Sequence, residues 1–493
     1  MQAYDRVPYR SVALPQTHPD RLATHARLFG LEPAPVTACR VLEVGCGDGG
    51  NLLPMAALLP ESTFVGIDVA ERPIAASRER AEAWGIRNVD LRALDLLDLP
   101  DELGTFDYIL AHGVYSWVPD AVRDGLLRLL GAHLAPQGVA FVSYNALPGG
   151  HLRRLSREMM LYHAGGIEDP AKRVEQSRAL LDFLVDAQPE GSAYHAVLEE
   201  ERAMTTRYTD EHFFHDHIAE FNRAFYFHEF VAHAERHGLR YLAEADFAAM
   251  QDRTFPPETR AVLDRIDDPI RREQVLDFLR NRMLRQTLLC RADATVQRVP
   301  QPDRVRGLAV AAPVRARERD EASGVVTFEG AKGKAVRTGH PFAAAVCESI
   351  GGAWPCAHTF GGLWEAVAEY GGEDMTPDVL AQVLLDFYAD GFVRLHTHAP
   401  PLAGEAPERP EALPVARRQA EDGTLVTNGW HRTVALDSSE RRLLLLLNGR
   451  RDRSTLLNAW KASVEDGEPP TDDELSATLH RLARHALLIE QHP

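Results

Sequence analysis

Over the first 145 residues, short apolar runs alternate with segments of helical periodicity. Val41 to Val44, Phe64 to Ile67 and Phe106 to Ala111 are too brief for buried helices and nearly unbroken in hydrophobicity, as strands covered on both faces are. Val89 to Leu94 reads as a third strand in this series. Ala121 to Leu134 carries apolar positions at helical spacing, Ala135-Pro-Gln-Gly138 reads as a turn, and Val139 to Tyr144 as a fifth strand. Such alternation predicts a parallel sheet with helices on both faces. Helical periodicity then dominates from Leu152 to about Arg202. A helix over Phe221–His237, a strand at Leu239–Glu244, a helix over Arg272–Arg285 and a strand at Gln286–Cys290 supply a sixth and seventh strand. Farther on, Leu380–Leu384 into Gly391–Leu395 and Leu475–Leu479 into Ala486–Ile489 both run a helix into a short strand. Each is preceded by helical pieces, Leu363–Tyr370 and Leu443–Trp460, an order similar to winged helices. Val299–Arg319 and the Pro- and Ala-rich stretch His398–Pro414 read as flexible or linking segments. Residues 324–334 read as a hairpin.

The strand ends carry the chemistry. After Val44 comes Gly45-Cys-Gly47-Asp-Gly49-Gly50-Asn51, a turn whose glycines permit positive φ and close approach of backbone to a ligand. The second strand ends on Asp68, placed to take both hydroxyls of a ribose. A dinucleotide fingerprint is G-x-G-x-x-G with a pyrophosphate at the helix N-terminus. Here the spacing is G-x-G-x-G, and Glu43 and Asp48 would repel phosphate. The same acids suit a cation, and S-adenosylmethionine carries a sulfonium, an ammonium and no phosphate. The third strand ends on Asp95, which as a lone residue would cap a turn.

Glu43-Val-Gly-Cys-Gly-Asp-Gly resembles the first motif of class I S-adenosylmethionine-dependent methyltransferases. Tyr9 to Pro19, His112-Gly-Val-Tyr-Ser-Trp-Val-Pro119, Ser143-Tyr-Asn145 and His215 to Phe230 narrow the resemblance. They are similar to the subfamily carrying a methyltransferase regulatory domain, which includes rickettsial-type protein lysine methyltransferases of outer-membrane protein. The likeness is close over residues 4 to 295 and loose beyond. It implies an α/β fold: a Rossmann-like methyltransferase sheet (1–164 and 221–295), a helical insertion or regulatory segment (165–220), and winged-helix-like domains at 296–397 and 411–493. It implies S-adenosyl-L-methionine as cofactor, bound by Glu43, Gly45, Cys46, Gly47, Asn51, Asp68, Val69, Asp95, Leu96, His112 and His18. Asp95 would meet the exocyclic amine of adenine, with Leu96 against the ring. The segment with Tyr9, Gln16, Thr17 and His18 would form a lid, although Thr17 as N-cap with Pro19 is also an ordinary helix start.

Reaction chemistry is expected past the fourth and fifth strands. Tyr115, Trp117 and Tyr144 are the candidate catalytic residues, walling a narrow channel to the sulfonium; aromatic faces attract cations by roughly 0.5–2 kcal/mol. A core role is the plain alternative for each ring. His112 is the one obvious titratable group, and no Ser-His-Asp order or paired nucleophile accompanies it. In-line methyl transfer needs little more than a neutral nucleophile aligned at about 3–3.5 Å. A lysine amine, with a pKa near ~10.4 in water, must therefore lose its proton, and desolvation beside a sulfonium favours that.

Composition narrows the partners. Seventy-two acids face 54 bases, a net charge of −18, so binding to nucleic acid would need a local basic patch, and Gly449–Arg453 is only a short one. No nucleic-acid partner is expected. Neither a signal peptide nor a membrane span is expected, and five scattered cysteines fit reduced thiols, hence a cytoplasmic protein. His228 and His233 lie five apart, off the zinc-helix spacing of four, so no metal is expected. The partner expected is a protein lysine side chain, with a homodimer left open. A methyltransferase of a small molecule or peptide product, and a non-catalytic cofactor sensor, are the alternatives.

Overall fold

The computed structural model describes residues 7, 11–98, 103–372, 374–464 and 468–490. Strands β1 (Arg40–Val44), β2 (Thr63–Asp68), β3 (Val89–Ala93), β4 (Phe106–Ala111), β5 (Leu134–Asn145), β6 (Leu239–Glu244) and β7 (Leu284–Arg291) form one sheet. Their order is β3-β2-β1-β4-β5-β7-β6. All pairs are parallel except those of β7, which runs antiparallel to both β5 and β6. The run of apolar strands thus forms a Rossmann-like sheet, with the sixth and seventh strands the sequence reading expected. The strand order reverses between β1 and β4, the switch point outside which such sheets bind ligands.

Several boundaries differ from the sequence reading: the helix expected over 221–237 is Phe227–Glu235, and the one expected over 272–285 is Pro269–Arg280, with Arg285 already in β7. Leu134 already pairs with Phe106, and Val139 with Tyr108, so Ala135–Gly138 is a bulge within β5 rather than a turn before it. The helix of the N-terminal segment, Pro19–Leu28, is capped by His18, whose Nδ1 accepts from the Asp20 N–H, and not by Thr17. Thr17 Oγ1 instead donates to the Leu14 carbonyl.

Between β5 and β6 lie the helices Gly150–Ala164, Pro170–Asp186, Ala193–Thr205 and Asp210–His217, and then Phe227–Glu235. The breaks in the helical run fall where Asp169, Ser192 and Thr209 cap the next helix with their own side chains. The strip from 299 to 319, read as flexible, is instead built in. Val305 and Val310 are buried, Ala309–Ala311 is the middle strand of a small sheet, and Arg315–Arg319 pairs with Val326–Glu329. With Ala335–Thr338 the hairpin expected at 324–334 becomes part of a three-stranded sheet.

The two winged-helix-like units each combine three helices with short strands, in different orders. In the first, helix Pro341–Ala353, strand His358–Thr359, helices Phe360–Val367 and Pro377–Ala389 and strand Arg394–His396 follow one another. In the second, helices Ser438–Leu446, Arg453–Ala462 and Asp472–Arg484 follow a hairpin of Leu425–Thr427 and Thr433–Ala435. The linker is ordered where it joins that unit: Leu402 bridges to Ile489 and Ala412 to Leu488. Among the described residues, no helix is long and apolar enough to cross a membrane.

Candidate active site

Glycine turn, Asp68 and the loops after β4 and β5 meet at the carboxyl edge of the sheet. Gly45, Gly47 and Gly49 all take positive φ, which L side chains rarely adopt. At Gly45 a Cβ would also lie 2.7 Å from Val114, and at Gly50 one would lie 2.1 Å from the Ser11 carbonyl oxygen. The turn is closed onto β2: the Gly45 and Cys46 N–H groups donate to the Ile67 carbonyl, and the Gly47 N–H donates to Asp68 Oδ2 at 2.9 Å. Asp68 Oδ1 accepts from the Ala70 N–H, also at 2.9 Å. The carboxylate is thereby aimed along the turn.

Glu43 sits beneath the turn and is almost fully buried. Its Oε1 accepts from Asn51 Nδ2 at 2.8 Å, whereas Oε2 is buried with no hydrogen-bond partner. Burial pushes the carboxyl up to about 8, against the pull of the Asn51 hydrogen bond and helped by nearby Asp68 and Asp48. A buried carboxyl oxygen without a partner beside a glycine turn suits a cationic ligand and is hostile to a phosphate. Asp48 adds to that charge and is itself anchored: it accepts from the Ser11 N–H at 3.1 Å and pairs with Arg80 at 3.3 Å.

Asn51 is the hub of this region. Nδ2 donates to Glu43 and to Thr17 Oγ1, and Oδ1 accepts from the Leu14 N–H at 2.9 Å and from His431 Nε2 at 2.9 Å. Segment 11–18 therefore lies along the turn, as the lid idea requires for Thr17 and His18; Tyr9 lies outside the described residues. Cys46 is buried, and Val69 is exposed at the tip of β2. Asp95 is exposed and caps its own turn by accepting from the Leu97 N–H, while Leu96 is half-buried against the core beneath the sheet. His18 is half-buried, its ring 5.2 Å from that of His431, and burial drives it down to about 4. His112, half-buried at the end of β4, is likewise pushed down to about 4, and its Nδ1 has no partner. It is a neutral imidazole at physiological pH.

The expected aromatic channel is corrected by burial. Tyr115 is 2 % exposed and Tyr144 1 %, and they form the floor under the edge rather than a wall above it. Tyr115 meets Phe225 and Phe230 edge-on, and Tyr144 stacks on Phe230 at 4.1 Å. Both hydroxyls are already engaged, Tyr115 with His233 Nδ1 at 2.8 Å and Tyr144 with Thr287 Oγ1 at 3.2 Å. Burial raises both phenols, so neither serves as a base near neutral pH. Trp117 alone of the three is half-exposed.

What holds the two loops was missed in sequence. The Gly113 N–H donates to Ser143 Oγ, the Asn145 N–H to Ser116 Oγ, and Asn145 Nδ2 to Asn222 Oδ1. Ala146 bridges to Phe225. The stretch around 222–230 thus clamps both loops. His233 and His237, four apart, were also passed over; both contact Asp124 Oδ1, at 3.3 and 2.8 Å. Tyr115 orders His233 from the other side, and Arg128 sits 3.8 Å from Asp124. The ligand atoms of Asp124, His233 and His237 lie within 4.8 Å of one another, close enough to hold a metal ion, which the spacing of His228 and His233 did not suggest.

Comparison with known proteins agrees with this geometry. A family model described as "Methyltransferase domain" matches residues 42–140, "Predicted methyltransferase regulatory domain" matches 209–291, and "PKMT, C-terminal winged helix domain" matches 408–487. The regulatory match thus includes β6 and β7, which complete the sheet. The chain is 31% identical to the uncharacterized protein RP789 of Rickettsia prowazekii, over 94% of this chain and 86% of that one. It is 38% identical to RP028 of the same organism, over 49% of this chain and 96% of that one. Among solved structures, PKMT2 from Rickettsia typhi superimposes with a TM-score of 0.88 at 26% identity, covering 98% of this chain and all of that one. The same protein is also known in complex with AdoHcy, with a TM-score of 0.87.

Proposed function

Because the chain belongs to the class I S-adenosylmethionine-dependent methyltransferases that carry a methyltransferase regulatory domain, we propose that it is a protein lysine N-methyltransferase. The observation that carries this is the end-to-end similarity to a PKMT, C-terminal winged-helix domain included. Bound in the crevice, S-adenosylmethionine supplies a methyl on a positive sulfur, the N–C bond forming as the S–C bond breaks with its electron pair leaving on sulfur.

The residues divide the remaining work. Asp68 orients the ribose, Glu43 meets the ammonium, and Asp95 with Leu96 borders the adenine. His112, neutral and with a buried Nδ1 to satisfy, lines the edge where the methyl would lie. Trp117 borders the approach of the amine, over a floor made rigid by Tyr115 and Tyr144. No base is required in contact with the amine; a low-dielectric edge that favours the neutral amine suffices.

Glu43 gives a pH signature. Its raised value means that the unliganded fold holds a proton there, so that contribution to stability is present at low pH and lost as pH rises from the unfolded value through about 8. A cation bound beside it favours the carboxylate, so binding releases the proton. Affinity for S-adenosylhomocysteine should rise between pH 6.5 and 8.5, by about tenfold for each unit below the Glu43 value. Calorimetry in two buffers of different ionisation heat reads the proton released. Glu43→Gln should flatten the profile; a flat profile in the parent protein would remove Glu43 from the ammonium site.

The substrate class is tested by incubating the enzyme and methyl-labelled cofactor with host lysate, then separating proteins from small molecules. Label on lysine side chains, located by mass spectrometry, is expected. Label confined to small molecules would refute the lysine reading, and binding without any turnover would leave a sensor.

A further inference from the structure

We propose that His431, on the C-terminal winged-helix domain, is a positioning residue for the cofactor crevice: it fixes Asn51, and through Asn51 the Glu43 carboxylate. The inference rests on the reading of Glu43 as a cofactor contact. It assigns the last domain a part in the site formed 380 residues earlier in the chain.

The geometry of Asn51 is the reason. An amide can present either end, and only one orientation places its NH2 on Glu43. Here Oδ1 takes the Leu14 N–H and His431 Nε2, and Nδ2 gives to Thr17 Oγ1 and Glu43 Oε1. A flipped amide would turn its NH2 onto the fixed Leu14 N–H donor, and would set two oxygens 2.8 Å apart at Glu43 once that carboxyl is ionised. Since Oδ1 can only accept, His431 carries its proton on Nε2, and its Nδ1 is buried without a partner.

The hairpin is built to present this ring. His431 is 1 % exposed and takes φ 52°, a conformation uncommon outside glycine. It persists because the surrounding tip is held from several sides. Asn428 Oδ1 accepts from the Trp430 and Arg432 N–H groups, and Asn428 Nδ2 donates to the His485 carbonyl. The Gly429 N–H donates to the Ala486 carbonyl, and the Trp430 indole N–H to the Pro355 carbonyl. Nearby, Thr433 Oγ1 reaches the Ala13 carbonyl. A strained residue fixed this firmly, with its ring nitrogen on Asn51 and its ring against His18, marks function more than packing.

The test uses full-length protein. Asparagine is at home at positive φ, but its amide ends one bond short of Nε2, so H431N keeps the hairpin and loses the contact. H431Q restores the reach. Three readings are taken: S-adenosylhomocysteine affinity by calorimetry, KM for the methyl donor against kcat, and melting without ligand. H431N should bind five- to twentyfold more weakly, with KM rising in parallel and kcat within threefold of the parent. H431Q should recover to within threefold. Should H431N fail to fold, H431F, which keeps the ring and drops the donor, replaces it in the same comparison. Affinity within twofold of the parent in H431N or H431F overturns the proposal. So does an equal loss in H431Q, which would mark the contact as interface packing only. A parent protein that binds no S-adenosylhomocysteine would instead defeat the cofactor role of Glu43.

Discussion

An Arg285→Leu variant is expected to melt on the order of 10 °C below the parent protein. Arg285 is completely buried on β7 and meets three acids: Glu244 at 2.7 Å, Asp277 at 2.8 Å and Glu273 at 3.0 Å. Its guanidinium also lies 3.7 Å from the centre of the Phe227 ring. Arg282 gives Asp277 a second cation at 2.6 Å, so two positive groups face three acids. Burial, with the nearby charge of Glu244, raises Glu273 and Asp277 despite those cations. Removing the central cation strands the acids in a dry interior, a loss of about 3–5 kcal/mol. At roughly 2–4 °C per kcal/mol for a unit of this size, that is the shift named. Arg418→Ala, which breaks an exposed pair with Glu421, should cost about 1 kcal/mol or less. The cluster also supports the site: Glu244 accepts from Thr287 Oγ1, which in turn meets the Tyr144 hydroxyl. Melting of Arg285→Leu within 2 °C of the parent would show that the acids simply take up protons and that the cation is dispensable.

Asp68→Ala should weaken S-adenosylhomocysteine binding by about two to three orders of magnitude. Hydrogen bonds to a charged acceptor contribute about 1.5–3 kcal/mol each, and two ribose hydroxyls are at stake. Every 1.4 kcal/mol is about tenfold. The same change also frees the Gly47 and Ala70 N–H groups that Asp68 now holds. Asp68→Asn separates the effects, since its amide oxygen keeps one acceptor. It should fall between the alanine variant and the parent. An alanine variant that binds within threefold of the parent, with unchanged melting, would move the ribose elsewhere.

Most of the sheet was legible because a strand buried on both faces has no polar alternation to confuse it. Val41–Val44, Phe64–Ile67 and Phe106–Ala111 are of that kind, and their order along the chain then dictates parallel pairing. Legibility fails where stabilisation is not local. Arg315–Arg319 is a strand with every residue exposed, Arg-Ala-Arg-Glu-Arg, so no hydrophobic pattern announces it. Such charge on a sheet edge discourages pairing with other chains. The Arg285 cluster draws acids from β6 and from the helix Pro269–Arg280, and nothing in the spacing of 244, 273, 277 and 285 reveals it. Tyr115, in loop-like sequence, and Tyr144, at the end of a strand, invite a substrate role. Only Phe225 and Phe230, folding back some hundred residues later, show them to be floor. His431 is the extreme case: a single histidine in a hairpin, invisible as a site residue until Asn51 is seen beside it. The glycine turn and Asp68, by contrast, are local motifs, and their geometry is set within β1, β2 and the turn between them.

The central claim is that the carboxyl edge of β1, β2 and β3 holds an adenosine whose sulfur end lies toward Glu43 and His112. A crystal structure of the full-length protein with S-adenosylhomocysteine tests it most directly. The predicted density places the ribose hydroxyls on Asp68, the ammonium within hydrogen-bond reach of Glu43 and the adenine beside Asp95 and Leu96. Density for the ligand elsewhere, or a pyrophosphate-bearing dinucleotide displacing it from the glycine turn, would contradict the account.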